Sequence, residues 1–269
     1  MNIKKYNCSS KAKLLHLIQA ENLNFIVPSL ISFTVKELEQ SSSEIFDRIS
    51  DTFQTKIIIR SSASDEDGKS SSSAGEYDSV LNVSVNNPEK ITKAINRVIA
   101  SYEKKRPLMA DDEVIIQEMV QNTTMSGVIF THDLNTGAPY YVINYDDQSG
   151  LTDTVTSGGG EYANRTLYIH RNSINKLRSE RFTKLLQAVQ ELEKVMGSQF
   201  LDIEFALGED LTLYLLQVRA ITTKPNWNRA VAKRIDVSLK GVQSFVIERF
   251  KRINGVYGET TLLGQMPDL

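Results

Sequence analysis

"IIIRSSASDEDGKSSSSAGEYDSVLNV", residues 57–83, carries a run of isoleucines into Arg60 and then into a polar tract before apolar residues return. The flanks "KIIIR" (56–60) and "SVLNV" (79–83) predict two strands. The tract between them has two readings. Serine, glycine and aspartate runs are ordinarily solvated loops. Such a loop can also be a flap that closes over a polyanion, with the arginine fixed at its root.

Composition narrows the setting in which that flap would act. The chain has 269 residues, of which 41% are hydrophobic, enough for a substantial core in one large domain or two small ones. Its 31 Lys and Arg against 33 Asp and Glu leave a formal charge of −2, so no global field draws it to nucleic acid or to an acidic membrane. Any anion site must be local. Cys8 is the one cysteine, which excludes an internal disulfide framework and a multi-cysteine zinc site and fits a reducing cytoplasm. No run of about 18 apolar residues predicts a membrane span, and the N-terminal segment lacks the apolar core of a signal peptide.

Working outward from the flap, Leu14, Leu15, Leu17 and Ile18 predict a short helix, and "NFIVPSLISFT" an extended segment interrupted by Pro28. Asn87 and Pro88 supply a cap and a first-turn proline for a helix with Ile91, Ile95, Val98, Ile99 and Tyr102 on one face. From 113 to 145 the pattern turns to strands: "EVIIQEMV", "SGVIFTHD" and "YYVINYD". The strand "LYIH" follows a glycine-rich segment, and a second helix covers 180–196 with Gly197 as its stop. "FLDIEFAL" and "LTLYLLQVRAI" predict two more strands joined by a tight turn. Helices and strands mix without a strict βα repeat, so the expected class is α+β. We expect subdomains at 1–110 and 111–223, and 224–269 as a linker and the start of a following domain.

Alternation brings chemistry onto shared faces. In "LDIEFAL", Asp202 and Glu204 point to one side of a strand, while in "LLQVRAI" Gln217 and Arg219 share a face. If these strands pair, carboxylates and a Gln/Arg pair converge above an apolar layer. A carboxylate and an amide oxygen suit a hard cation such as Mg²⁺, and an arginine fork suits phosphate oxygens. Taken singly, each piece has a plainer reading: Arg60 as a surface ion pair, Asp202 and Glu204 as the wet face of an edge strand. Neither a Walker-type nor a dinucleotide glycine motif is present, and His16, His132 and His170 stand in no ligand-spaced pattern.

"IRSSASDEDGKSSSSAGEYDSVLNV" resembles the "VRSSATAED…ASFAGQ…TFLNV" signature of the ATP-binding domain of phosphoenolpyruvate synthase and pyruvate phosphate dikinase. The similarity continues in order through "VIIQEMV", "SGVIFTHD", "SGLTDTV", "LDIEFA" and "LYLLQVRAIT", over residues 9–223. It implies an ATP-grasp fold, two α+β subdomains gripping ATP with the serine loop as lid, here with Ser73 and Gly75. It further implies that Lys11, Arg60 and Arg106 contact phosphates and that Gln117, Glu118, Met119 and Val120 form the hinge beside adenine. Glu204 and Gln217 match the metal-binding pair, Arg219 the arginine that steadies the phosphoryl group, and Asp202 supports them. The family's "GGKN" stands here as "SSKA", "GLGE" as "GLTD" with Thr152 and Asp153, and 157–164 departs in length and composition.

The resemblance implies a transferase that uses ATP and Mg²⁺ to phosphorylate a histidine on a separate swivelling domain, giving AMP and phosphate. A small-molecule acceptor then receives the phosphoryl group. No carrier-histidine motif occurs in the sequence, so that domain is expected elsewhere in a longer chain or in a partner. The tail and the 157–164 segment look like phosphoenolpyruvate-synthase-like kinases of bacterial surface-glycan (capsule) clusters, such as an L-glutamine kinase. An ATP-grasp carboxylate–amine ligase, a non-catalytic nucleotide-binding module and a purely structural domain are the rival readings.

Overall fold

The computed structural model describes residues 10–62, 77–152, 165–221, 229–249, 252–255 and 258–261. The chain divides into two compact units, Met1–Leu134 with Pro139–Lys224, and Asn135–Ala138 with Pro225–Leu269. The first opens with α1 (Lys11–Gln19), β1 (Phe25–Ile26), β2 (Leu30–Thr34), α2 (Val35–Gln40) and α3 (Ser42–Thr52). It continues through β3 (Lys56–Ser62), β4 (Ser79–Ser84), α4 (Pro88–Glu103), β5 (Glu113–Glu118), β6 (Thr123–Phe130) and β7 (Tyr140–Asp146). β8 (Arg165–His170), a 3-10 turn (Arg171–Lys176), α5 (Glu180–Met196), β9 (Leu201–Gly208) and β10 (Leu213–Ala220) complete it.

Local chemistry sets the helix ends. Asn87 caps α4 by accepting from the Lys90 N–H, with Pro88 opening the first turn. Thr34 and Glu37 form a reciprocal capping box on α2. Gly197 ends α5 at φ 64°, a left-handed conformation that a side chain would penalise.

The strands form two sheets, one of four strands in the order β2-β5-β3-β4 and one of six in the order β1-β10-β9-β6-β7-β8. All pairs are antiparallel except β1 with β10. Each sheet has its own core. The four-stranded sheet packs Ile57, Ile59, Val114 and Ile116 against Ile45 and Ile49 of α3 and Ile91, Ile95 and Val98 of α4. The six-stranded sheet packs Ile129, Ile143, Ile203, Phe205 and Leu215 with Leu185, Leu186, Val189 and Leu192 of α5. Leu14, Leu15 and Ile18 of α1, and Phe25 of β1, join that second core.

This is the α+β architecture with two sheets that the sequence predicts, with two differences in allocation. β5 pairs with β2 and β3, so the chain leaves the four-stranded sheet after Glu118 and not at 110. α1 and β1, near the N-terminus, serve the six-stranded sheet because their apolar residues match its core and β1 adds to the β10 edge.

The second unit contains α6 (Arg229–Arg249), where the sequence predicts a linker and the start of a following domain, and a hairpin of β11 (Arg252–Gly255) and β12 (Gly258–Thr261). Among the described residues no helix is long and apolar enough to cross a membrane.

Candidate nucleotide and metal site

β3 begins the site. Its alternation sends Ile57 and Ile59 into the core beneath α4 and turns Ile58 and Arg60 the other way. Opposite Ile59 and Ile57, β4 carries a bulge in which Leu81 and Asn82 face one residue of β3, and Asn82 sits at φ 59°. The bulge places Leu81 in the cavity wall and the Asn82 N–H 3.0 Å from the Met119 sulfur.

The facing wall comes from β9 and β10. Leu213 and Leu215 lie opposite Leu207 and Phe205, all in the core. An irregularity at Leu216 then shifts the register, so that Gln217 pairs with Glu204, Val218 with Ile203 and Arg219 with Asp202. Were the strand to alternate regularly through Leu216, Gln217 would continue the phase of Leu213 and Leu215 into the core. The bulge turns Gln217 and Arg219 onto the same side as Glu204 and Asp202.

Five of the sequence-predicted residues meet here, as a group of three and a pair. The Arg60 guanidinium reaches from the four-stranded sheet to the six-stranded one and donates to Glu204 Oε2 at 2.8 Å, to Gln217 Oε1 at 2.9 Å and to the Leu216 carbonyl at 3.4 Å. Arg219 donates from Nε to Asp202 Oδ2 at 2.6 Å. Burial pushes the Glu204 carboxyl up, but the charge and hydrogen bond of Arg60, joined by the charges of Lys11 and Arg219, hold it net below the ordinary glutamate value. Burial likewise acts on Asp202, and there it outweighs Arg219, so that carboxyl is raised. Lys11 is buried in the first turn of α1, and its charge is felt by both carboxyls.

The residues expected to form the hinge line the same cleft. One cavity of about 70 Å³ is bounded by Arg60, Gln117, Glu118, Met119, Val120 and Glu204, among others. An adjoining cavity of about 170 Å³ shares Leu81, Met119, Val120 and Thr152 with it and extends to Asn122 and Gly150. The Gln117 side chain is buried, and its Nε2 has no hydrogen-bond partner among the described residues. Buried amide N–H groups are normally satisfied, so this one is a donor with unmet capacity on a residue that borders the cavity.

Arg106 is placed differently from the other predicted phosphate contacts. It holds the fully buried Asp112 through two bonds of 2.8 and 2.6 Å and lies over the Tyr102 ring. Ser73, Gly75, Asp153 and 157–164 lie outside the described residues; Thr152 borders both cavities.

The donor set fits a hard divalent cation that shares its coordination with a polyphosphate. Glu204 and Gln217 present two oxygens from paired positions, and among the described residues no group of three or more His, Cys, Asp or Glu can hold an ion alone. Mg²⁺ bound by one or two carboxylate or amide oxygens completes its octahedron with phosphate and water.

Comparison with known proteins adds family evidence. The model for the pyruvate phosphate dikinase AMP/ATP-binding domain matches residues 26–174. The prodigiosin synthesizing transferase PigC of Serratia marcescens is 27% identical over 208 residues, 62% of this chain and 23% of that protein. The uncharacterized phosphotransferase YvkC of Bacillus subtilis is 24% identical over 237 residues, 70% of this chain and 27% of that protein. The chain thus spans about a quarter of the length of these relatives. The crystal structure of the VanG D-Ala:D-Ser ligase of Enterococcus faecalis is 14% identical with a TM-score of 0.44, covering 79% of this chain and 52% of that one.

Proposed function

This chain belongs to the family of the pyruvate phosphate dikinase AMP/ATP-binding domain, and on that premise we propose that it uses ATP and Mg²⁺ to phosphorylate a histidine on a separate swivelling carrier domain. ATP, water and the imidazole give AMP, inorganic phosphate and phosphohistidine. The phosphoryl group then passes to pyruvate or to a small amide or carboxylate such as L-glutamine. The carrier lies elsewhere in a longer chain or in a partner, and the reaction takes place in the cytoplasm.

The observation that carries this reading is the meeting of Arg60, Glu204 and Gln217 across the two sheets. A guanidinium, a carboxylate and an amide oxygen within hydrogen-bond distance are the groups that neutralise and grip a magnesium-bound polyphosphate. Glu204 and Gln217 hold the ion, which supplies charge neutralisation at the phosphate oxygens. Arg60 turns from these two oxygens to the phosphates, and Lys11 adds a second positive charge. Gln117, Glu118, Met119 and Val120 line the base pocket, where a ring acceptor would satisfy the Gln117 amide. Arg219, fixed by Asp202, faces the group in transfer and compensates the charge that grows on it.

The test is direct. With ATP and Mg²⁺ at about 100 times the dissociation constant, the melting transition should gain about 2.7 kcal/mol, with less gain when EDTA replaces Mg²⁺. With a carrier domain supplied, labelled ATP should yield AMP and acid-labile phosphohistidine. Formation of ADP with an acid-stable product would select the ligase reading, and absence of a nucleotide shift would reject the site.

A further inference from the structure

A second polar cluster lies where α1, β3 and β5 come together. Ser10, the cap of α1, donates to Glu113 Oε2 at the start of β5 and stands 3.4 Å from the Ser62 hydroxyl at the end of β3. Ser62 also accepts from the Ala12 N–H at 3.3 Å. Tyr102 closes the cluster by accepting from the Ser62 N–H at 2.9 Å and donating to the Glu113 carbonyl at 2.7 Å. Lys13 lies 3.5 Å from Glu113 Oε1. Ser10, Ser62 and Glu113 are all buried.

The position of this cluster matters more than its existence. α1 packs on β10 and belongs to the core of the six-stranded sheet, whereas β3 and β5 belong to the other sheet. Lys11 is sandwiched in sequence between two cluster members, Ser10 and Ala12, and Arg60 precedes Ser62 by two residues on β3. A buried carboxylate is costly unless its oxygens are bonded, so Glu113 holds its partners strictly.

We propose that Glu113 and Ser10 are positioning residues for polyphosphate binding: through Ser62 they fix the first turn of α1 and with it the buried Lys11. This rests on the nucleotide reading given above. Loosening the cluster frees the α1 turn and takes Lys11 out of register, while the base pocket on β5 keeps its hinge residues. The consequence is selective: contacts to the outer phosphates weaken and contacts to the nucleoside do not.

Calorimetric titration of the full chain with ATP and with AMP, each with Mg²⁺, separates these effects. Glu113→Gln should weaken ATP about tenfold and AMP less than twofold, and Lys11→Met should do the same. In the Lys11→Met background, Glu113→Gln should add no further loss for ATP, because the two act through one group. Ser10→Ala provides the same reading if Glu113→Gln fails to fold. Equal losses for ATP and AMP, an unchanged ATP affinity, or losses that multiply in the double variant would each overturn the positioning role while leaving the nucleotide site standing. Wild-type protein that binds neither nucleotide would overturn the site itself.

Discussion

Glu204 is half-buried with a guanidinium 2.8 Å away, and its carboxyl is held below the ordinary glutamate value despite burial. A depressed carboxyl contributes stability that is fully present above the unfolded value of about 4.5 and fades as pH falls through the folded one. Glu204→Gln should therefore flatten the acid limb of a stability–pH curve followed by denaturant titration, and should abolish the Mg²⁺ dependence of ATP binding. Arg219→Ala should eliminate phosphoryl transfer to a supplied carrier while circular dichroism stays native. Its stability cost should be about 2 kcal/mol, since Asp202 is left without its partner but can take up a proton. At this scale the sequence was informative where alternation governs, as for Asp202 with Glu204. It was silent on Arg106, because nothing local to "EKKRPLMADDE" says that Asp112 turns back to bind it.

Strands carry the next level of control. The irregularity at Leu216 decides which way Gln217 and Arg219 point, and its carbonyl also receives Arg60. Deleting Leu216 leaves Gln217 directly after Leu215 and still opposite Glu204, so both polar side chains keep their face, and the expected outcome is a folded chain by far-UV dichroism and sedimentation. β6 and β7 approach closely at Gly127, where an added Cβ would lie 2.0 Å from the Asn144 carbonyl oxygen and 2.8 Å from the Tyr145 Cα. Both neighbours are backbone, so Gly127→Ala should cost at least about 1–3 kcal/mol, measurable as a lower denaturation midpoint. The helices α4 and α5 were legible because caps and apolar stripes are written locally. The bulge was not, since "LLQVR" reads equally well in either phase and only the pairing with β9 chooses between them.

The whole molecule adds terms that no element contains. His132, stacked on Phe200 with centroids 4.2 Å apart, has its pKa lowered by burial and by the Arg171 charge, against the raising effect of its bond to the Gln199 carbonyl. A histidine kept neutral by the fold binds fewer protons there than in the unfolded chain. Stability should therefore be full above 6.5 and fall as pH drops below it, by at most about 1.4 kcal/mol per pH unit from this group. His132→Gln should reduce that slope in urea titrations run between about pH 7 and 5.5. The assignment of α1 and β1 to the distant sheet also belongs to this scale. Their local patterns predict a helix and an extended segment, and nothing within them names β10, nearly two hundred residues away, as the partner.

Arg60 joins the two sheets, stitched to a carboxylate, an amide and a main-chain carbonyl at once. Entry of a charged guest must then wait for that stitch to come undone. The observed loading rate in a stopped-flow trace should consequently level off as nucleotide is raised, at a ceiling set by the protein's own opening.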